Sequence, residues 1–219
     1  MDRQGKHLSA TASLGIAFVV LLALFLMDGA NIQSDWLTST DLSATRELQS
    51  VSSPTLTSGM WDLTFSGNTL TLVILDGLVL IACLALRHIR EAIFCFVSGL
   101  ALNVNDLLKP IWGRPRPTSN LVHVLTHPGG FSFPSGHAMG STITYGFFAF
   151  LAWQLIEPSK WRTLLLAILL AWPVLICSSR MYLGVHWLSD VVGGILAGAM
   201  VVIALAFAYE VTTPPPPVR

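Results

Sequence analysis

Six apolar stretches run along the chain, at about 10–28, 69–86, 91–108, 138–156, 163–179 and 189–209, each long enough to cross a bilayer as a helix. The pattern predicts an all-α, polytopic fold with six transmembrane helices in a single domain over residues 1–212. The third stretch is the least apolar, with Asn103, Asn105 and Asp106 near its end. Such a face survives only if it looks into protein or a wet cavity. Between the first two spans lies a long segment, 29–68. There Ala44, Leu48 and Val51 recur at i, i+4 and i+7, and after Pro54 so do Leu56, Met60 and Leu63. Short amphipathic helices on the membrane surface fit this spacing, with Trp36 and Trp61 at headgroup level. The proline-rich tail, 213–219, is expected to be extended and solvated.

Composition agrees with the periodicity. Of 219 residues, 53% are hydrophobic and only 11% are charged, against about 25% charged in an ordinary soluble domain. The formal net charge is zero, which argues against a nucleic-acid partner. Cys83, Cys95 and Cys177 lie inside apolar runs without metal-ligand spacing, so they read as buried small hydrophobes and not as a disulfide framework. The first apolar stretch lacks a small-residue cleavage site after it and reads as an uncleaved helix.

Positive charge in short loops sets the orientation. Arg3, Lys6, Arg87, Arg90, Lys160 and Arg162 flank the spans on one side, which is expected to be cytoplasmic, with both termini. The protein is then expected in the cell membrane. Lys109, Arg114, Arg116, His137, Arg180 and His186 fall on the outer side, where positive charge is unexpected. Cations against the topology rule point to chemistry.

These residues form three clusters. In "KPIWGRPRP", 109–117, prolines stiffen a loop that holds Lys109 and Arg116 seven residues apart, as suits a phosphoryl group. Read alone, the pair serves equally well as snorkelling or headgroup-binding cations. In "PSGH", 134–137, Pro134 suits a first helical turn, and Gly136 lets backbone approach an anion at a helix N-terminus. Ser135 offers a hydroxyl, and His137 stands where it can protonate a leaving oxygen. In "SRMYLGVHWLSD", 179–190, a helix starting near Gly184 would put His186 and Asp190 on one face, with Asp190 holding one ring nitrogen. Arg180 adds a further fork for phosphate oxygens.

The order Lys109-x6-Arg116-Pro117, Pro134-Ser135-Gly136-His137, Ser179-Arg180-x5-His186-x3-Asp190 resembles the three-part signature of the type-2 phosphatidate phosphatases, which share their site with vanadium haloperoxidases. The resemblance implies that Lys109, Arg116, Arg180, Ser135 and the Gly136 backbone bind phosphate. It implies further that His186 attacks phosphorus to form a phosphohistidine, that Asp190 holds its ring, and that His137 is the general acid. No metal or cofactor is implied, and no obligate protein partner is evident.

The expected activity is hydrolysis of a lipid phosphate monoester or diphosphate at the outer face. Candidate substrates are undecaprenyl diphosphate, placed first by analogy, then phosphatidate and phosphatidylglycerophosphate. A lipid-to-lipid phosphotransferase with the same site, a headgroup-binding or transport protein, and a serine hydrolase built on Ser135 stay open as rivals. Beyond the signature, Asp106 is expected to pair with Lys109 one turn away, and Arg114 to stand in a second tier behind the direct phosphate contacts. Asp76, mid-span, is expected to hydrogen-bond another helix, and His123 and His127 to be polar loop residues.

Overall fold

The computed structural model describes residues 3–212, with side chains from residue 11 onward; the proline-rich tail lies outside the described residues. Nine helices are found among them. α1 (Arg3–Asn31) is followed by α2 (Asp35–Ser50), α3 (Pro54–Ser66) and α4 (Thr69–Ala85). Then come α5 (Ile89–Ala101), α6 (Val104–Trp112), α7 (Gly136–Leu155), α8 (Lys160–Tyr182) and α9 (Leu188–Val211). No strand occurs among the described residues.

Local sequence explains the helix starts. Ser53, Asn68, Ser135 and Ser159 each accept a backbone N–H from the first turn of the helix that follows, satisfying a donor the helix itself cannot. The expected third span is two helices, α5 and α6, broken at Leu102–Asn103. The expected surface segment holds α2 and α3; Ala44, Leu48, Leu56 and Met60 pack inward, whereas Val51 is exposed.

Helix α7 is the hub. It packs along α8 and α9 and also touches α4, α5 and α6, while α1 lies along α9 and α3 along α8. The α7–α9 approach is close because α9 carries glycine where α7 comes nearest. A Cβ at Gly194 would stand 2.7 Å from the Ser135 carbonyl oxygen, and one at Gly198 would stand 2.7 Å from that of Met139. Small residues one turn apart let two helix backbones meet in this way. The fit brings the start of α7 against the start of α9, where the Ser135 N–H donates to the Asp190 carbonyl at 2.9 Å.

Beneath this junction Phe25, Trp112 and Phe133 form an aromatic cluster with centroids 5.1–5.8 Å apart. The three cysteine thiols are free and buried. Thr144 on α7 donates to Asp76 on α4 at 3.0 Å, the interhelical bond expected of that acid.

The span count differs from the sequence expectation of six. Thr11–Asn31, Ile89–Trp112, Lys160–Tyr182 and Leu188–Val211 are long and apolar enough to cross a membrane. A fifth is reached if α3 and α4, bent by 53°, act as one span. α4 alone has 17 residues, short for the full hydrocarbon thickness. α7 has the length, 20 residues, but carries buried Ser141 and Thr144, which a helix sheathed by other helices tolerates.

Candidate active site

The polar residues of all three clusters gather around the starts of α7 and α9. His186 precedes α9, and Asp190 is the third residue of that helix. The helix starts at Leu188 and not near Gly184, so the pair meets through a helix cap and not across a helical face. Asp190 Oδ2 accepts the Trp187 N–H at 2.9 Å and lies 3.3 Å from His186 Nδ1. A carboxylate at that position serves the orphan donors of the first turn and reaches the histidine just outside it.

Asp190 is fully buried. Its Oδ1 accepts from Arg114 Nη1 at 2.7 Å and from Ser132 Oγ at 3.2 Å. With Nδ1–H donated to this fixed carboxylate, the Nε2 lone pair points away from it. There Arg116 Nη1 stands at 3.0 Å. Burial pushes the His186 imidazole down to about 4, although Asp190 pulls the other way. The ring is therefore neutral and its lone pair available at physiological pH.

The cations come from three elements. Arg116 is held by the carbonyls of Gly129, Gly130 and Val185 at 3.2, 3.2 and 2.9 Å. Lys109 on α6 donates to the Phe131 carbonyl at 3.0 Å. Arg180, near the end of α8, donates to Thr64 Oγ1 at 2.5 Å, and its Nε is buried with no partner. Lys109, Arg116, Arg180 and His186 all act electrostatically on His137, so the groups converge.

Ser135 caps α7, with Oγ accepting the Ala138 N–H at 3.4 Å. Gly136 is required by a close neighbour: a Cβ there would stand 2.9 Å from Asn105 Oδ1. His137 lines a cleft of about 420 Å³ with Trp61, Asp62, Thr64, Phe65 and Asn68.

One expectation takes a definite form and two are corrected. Arg114 takes its second-tier place behind Asp190: it is 3% exposed, and its nitrogens donate to Asp41 Oδ2 at 2.6 Å, Ser189 Oγ at 2.6 Å and Asp190 Oδ1 at 2.7 Å. Asp106 is exposed and makes no ion pair with Lys109, which turns to Phe131 instead. Pro134 precedes the N-cap and lies outside the first helical turn.

Other site residues escaped the sequence reading. Asp41 looked like one more acid of a polar outer segment, and Ser132, Thr64 and Ser189 carried no signal. The glycine spacing of α9 was a usable sign of the close α7 contact. His123 is a loop residue, its backbone held by Gln49 at 2.7 and 3.0 Å.

An all-helical, membrane-spanning protein whose buried histidine–aspartate pair faces a set of cations is the class that fold and site define. The chain belongs to the PAP2 superfamily, which residues 90–212 match. It is 30% identical over 184 residues to phosphatidylglycerophosphatase B of Bacillus subtilis, covering 83% of this chain and 89% of that protein. It is 27% identical over 157 residues to a lipid A 4'-phosphatase of Bacteroides thetaiotaomicron, covering 64% and 66%. The crystal structure of a transmembrane PAP2-type phosphatidylglycerolphosphate phosphatase from Bacillus subtilis superposes with a TM-score of 0.82 at 29% identity, over 90% of this chain and 97% of that one. The relatives are lipid phosphatases, and the chain is a multi-pass membrane protein.

Proposed function

We propose that this protein hydrolyses a lipid phosphate at the outer face of the cell membrane through a phosphohistidine. The observation that carries the reading is the His186 ring, with Nδ1 3.3 Å from a buried carboxylate and Nε2 3.0 Å from Arg116. In the first step the Nε2 lone pair forms a bond to phosphorus while the ester P–O bond breaks. The departing oxygen takes a proton from His137. In the second, water attacks phosphorus and gives its proton to His137, and the N–P electron pair returns to Nε2. This role requires His137 to be protonated when the lipid phosphate is seated, with the phosphate's negative charge set against Lys109, Arg116 and Arg180. Ser135 and the free N–H groups opening α7 hold the remaining phosphate oxygens.

In-line displacement puts the leaving group opposite His186, on the side of His137. The lipid alcohol therefore occupies the cleft that His137 shares with Trp61 and Phe65, both exposed. Asp62 in that cleft disfavours a leaving group that is itself a phosphate. Together with the Bacillus subtilis relative this puts a monoester, phosphatidylglycerophosphate, ahead of a polyprenyl diphosphate. The three cations supply the charge that a metal would otherwise bring, so turnover is expected without one. The reading has six spans, with α7 at the centre and α4 continuing α3, both termini cytoplasmic and the site outside; Arg87, Arg90, Lys160 and Arg162 support that orientation.

The test is phosphate release by purified protein from phosphatidylglycerophosphate, phosphatidate and undecaprenyl diphosphate, with excess chelator present. Release from the monoesters is expected to dominate. No release from any of the three overturns the reading, and dependence on added magnesium overturns its metal-free form.

A further inference from the structure

We propose that Asp41, on the outer helix α2, is a positioning residue for the nucleophile, acting through Arg114 on Asp190. The proposal rests on the phosphatase reading of the site. Asp41 belongs to none of the three signature clusters and precedes the first of them by 68 residues in the chain (109 − 41). Yet it is 1% exposed and accepts three bonds from the machinery: Arg114 Nη2 at 2.6 Å, Ser189 N–H at 2.8 Å and Ser189 Oγ at 2.7 Å. Arg114 in turn reaches Asp190 Oδ1 at 2.7 Å, and Asp190 Oδ2 faces His186. The chain Asp41–Arg114–Asp190–His186 is buried throughout.

Geometry alone assigns Asp41 an orienting role. A guanidinium held on one nitrogen can swing; one held on both by two carboxylates is fixed in plane, and so is the carboxylate that orients His186. Charge gives a second reason. When Nε2 bonds to phosphorus with Nδ1–H retained, the ring becomes cationic. Arg114 alone cancels Asp190 and leaves nothing to face that charge. With Asp41, two carboxylates share one guanidinium, and a net negative charge stays behind the ring. Asp28 of α1 faces the same group, with an Oδ2 that has no hydrogen-bond partner.

Asp41→Asn is the informative substitution. Its carbonyl keeps the Ser189 N–H bond, but its NH2 meets Arg114 Nη2 donor to donor, and the charge is lost. The expected result is a fall in kcat of about 10–100-fold, the range for loss of a hydrogen bond to a charged group. KM and competitive inhibition by inorganic phosphate should stay near wild type, because Lys109, Arg116 and Arg180 are untouched. In a double-mutant cycle, Asp41→Asn should cost little once Asp190 is already Asn, since both act on one ring.

A readout independent of turnover follows the His186 Nδ1 proton by NMR of protein carrying 15N-histidine, assigned with His186→Ala. It should move upfield in Asp41→Asn, as its acceptor weakens, and stay in place in the surface control Asp35→Asn. An unmoved proton, full loss in both backgrounds of the cycle, or a loss of thermal stability with kcat per folded molecule unchanged overturns the proposal. If wild type releases no phosphate while the proton still moves, the phosphatase reading has failed and the Asp41–His186 coupling has not.

Discussion

Arg116 caps Nε2 of His186, the nitrogen that attacks phosphorus in the proposed reaction: its Nη1 lies 3.0 Å away. The same nitrogen donates to the Val185 carbonyl at 2.9 Å, so the arginine is anchored to the backbone beside His186. In the proposed reaction a phosphate arriving at the site takes over the donor that rests on the lone pair. The exchange leaves Nε2 bare at the moment phosphorus stands in front of it.

Replacement of Arg116 by lysine tests this relationship. Lysine keeps the charge but cannot hold Val185, Gly129 and phosphate together, because it offers no planar fork. Loss of one preorganised donor to a developing charge costs about 10²–10³-fold. Arg116→Lys should therefore lower kcat/KM by that amount, with helix content and melting temperature close to wild type. A variant with wild-type kcat/KM would show that the arginine only packs.

The acid limb of the pH profile should lie low. Burial moves His186 from its ordinary 6.5 to about 4, so the neutral nucleophile persists well below physiological pH. In kcat/KM for the free enzyme, the loss assigned to His186 should set in near pH 4, and Asp190→Asn should shift that limb. The sign for stability follows from the same shift. Between pH 6.5 and 4 the unfolded chain takes up the proton and the folded chain does not, so acidification through that window weakens the fold. Thermal melting in detergent between pH 7 and 4 checks it; a melting temperature flat across that range contradicts the assignment.

Each apolar run coincides with helix because hydrocarbon tolerates little else, although the third run is two helices and only four or five helices are long and apolar enough to cross a membrane. The runs blurred where protein replaces lipid. α7 carries Ser141 and Thr144 because it is wrapped by neighbouring helices, and α6 departs from α5 at Asn103 because its polar face meets the site. The signature positions come together in the structure, two of the clusters at helix starts, with Ser135, Gly136 and His137 opening α7 and His186 and Asp190 opening α9. Asp41 was not legible in the sequence. Its placement depends on α2 folding back over α9, a tertiary contact with no local period, and the partners of Arg114 came into view only with that contact.

The cleft beside His137 should separate lipid from non-lipid substrates. Trp61 and Phe65 are 41% and 67% exposed and line or border the cleft without touching a catalytic group by hydrogen bond. Trp61→Ala and Phe65→Ala should raise KM for phosphatidylglycerophosphate several-fold while leaving p-nitrophenyl phosphate hydrolysis near wild type. Equal losses on both substrates would place the lipid elsewhere.

Topology is open to direct labelling. Thr118 in the loop after α6 and Glu157 before α8 are both exposed, and the native thiols are buried. In intact cells, cysteine at 118 should react with an impermeant maleimide and cysteine at 157 should not. The opposite pattern would turn the site to the cytoplasm.

The two histidines should fail in different ways. His186→Ala removes the atom that bonds to phosphorus in the proposed reaction, so activity should vanish on every substrate. His137→Ala removes an acid, and general acid catalysis is worth about 10²–10⁴-fold when the leaving group is a poor one. The loss should therefore be large on an alkyl phosphate. On p-nitrophenyl phosphate, whose phenolate leaves unaided, the first step should be affected much less. In the proposed second step water attack on the phosphohistidine also uses His137 as base, so this variant should accumulate phosphoenzyme. Rapid quenching without acid, using labelled phosphate ester, should find label on wild type, more on His137→Ala and none on His186→Ala. Label retained in His186→Ala would move the covalent bond to another residue. Equal losses for both variants on both substrates would remove the division of labour between nucleophile and acid.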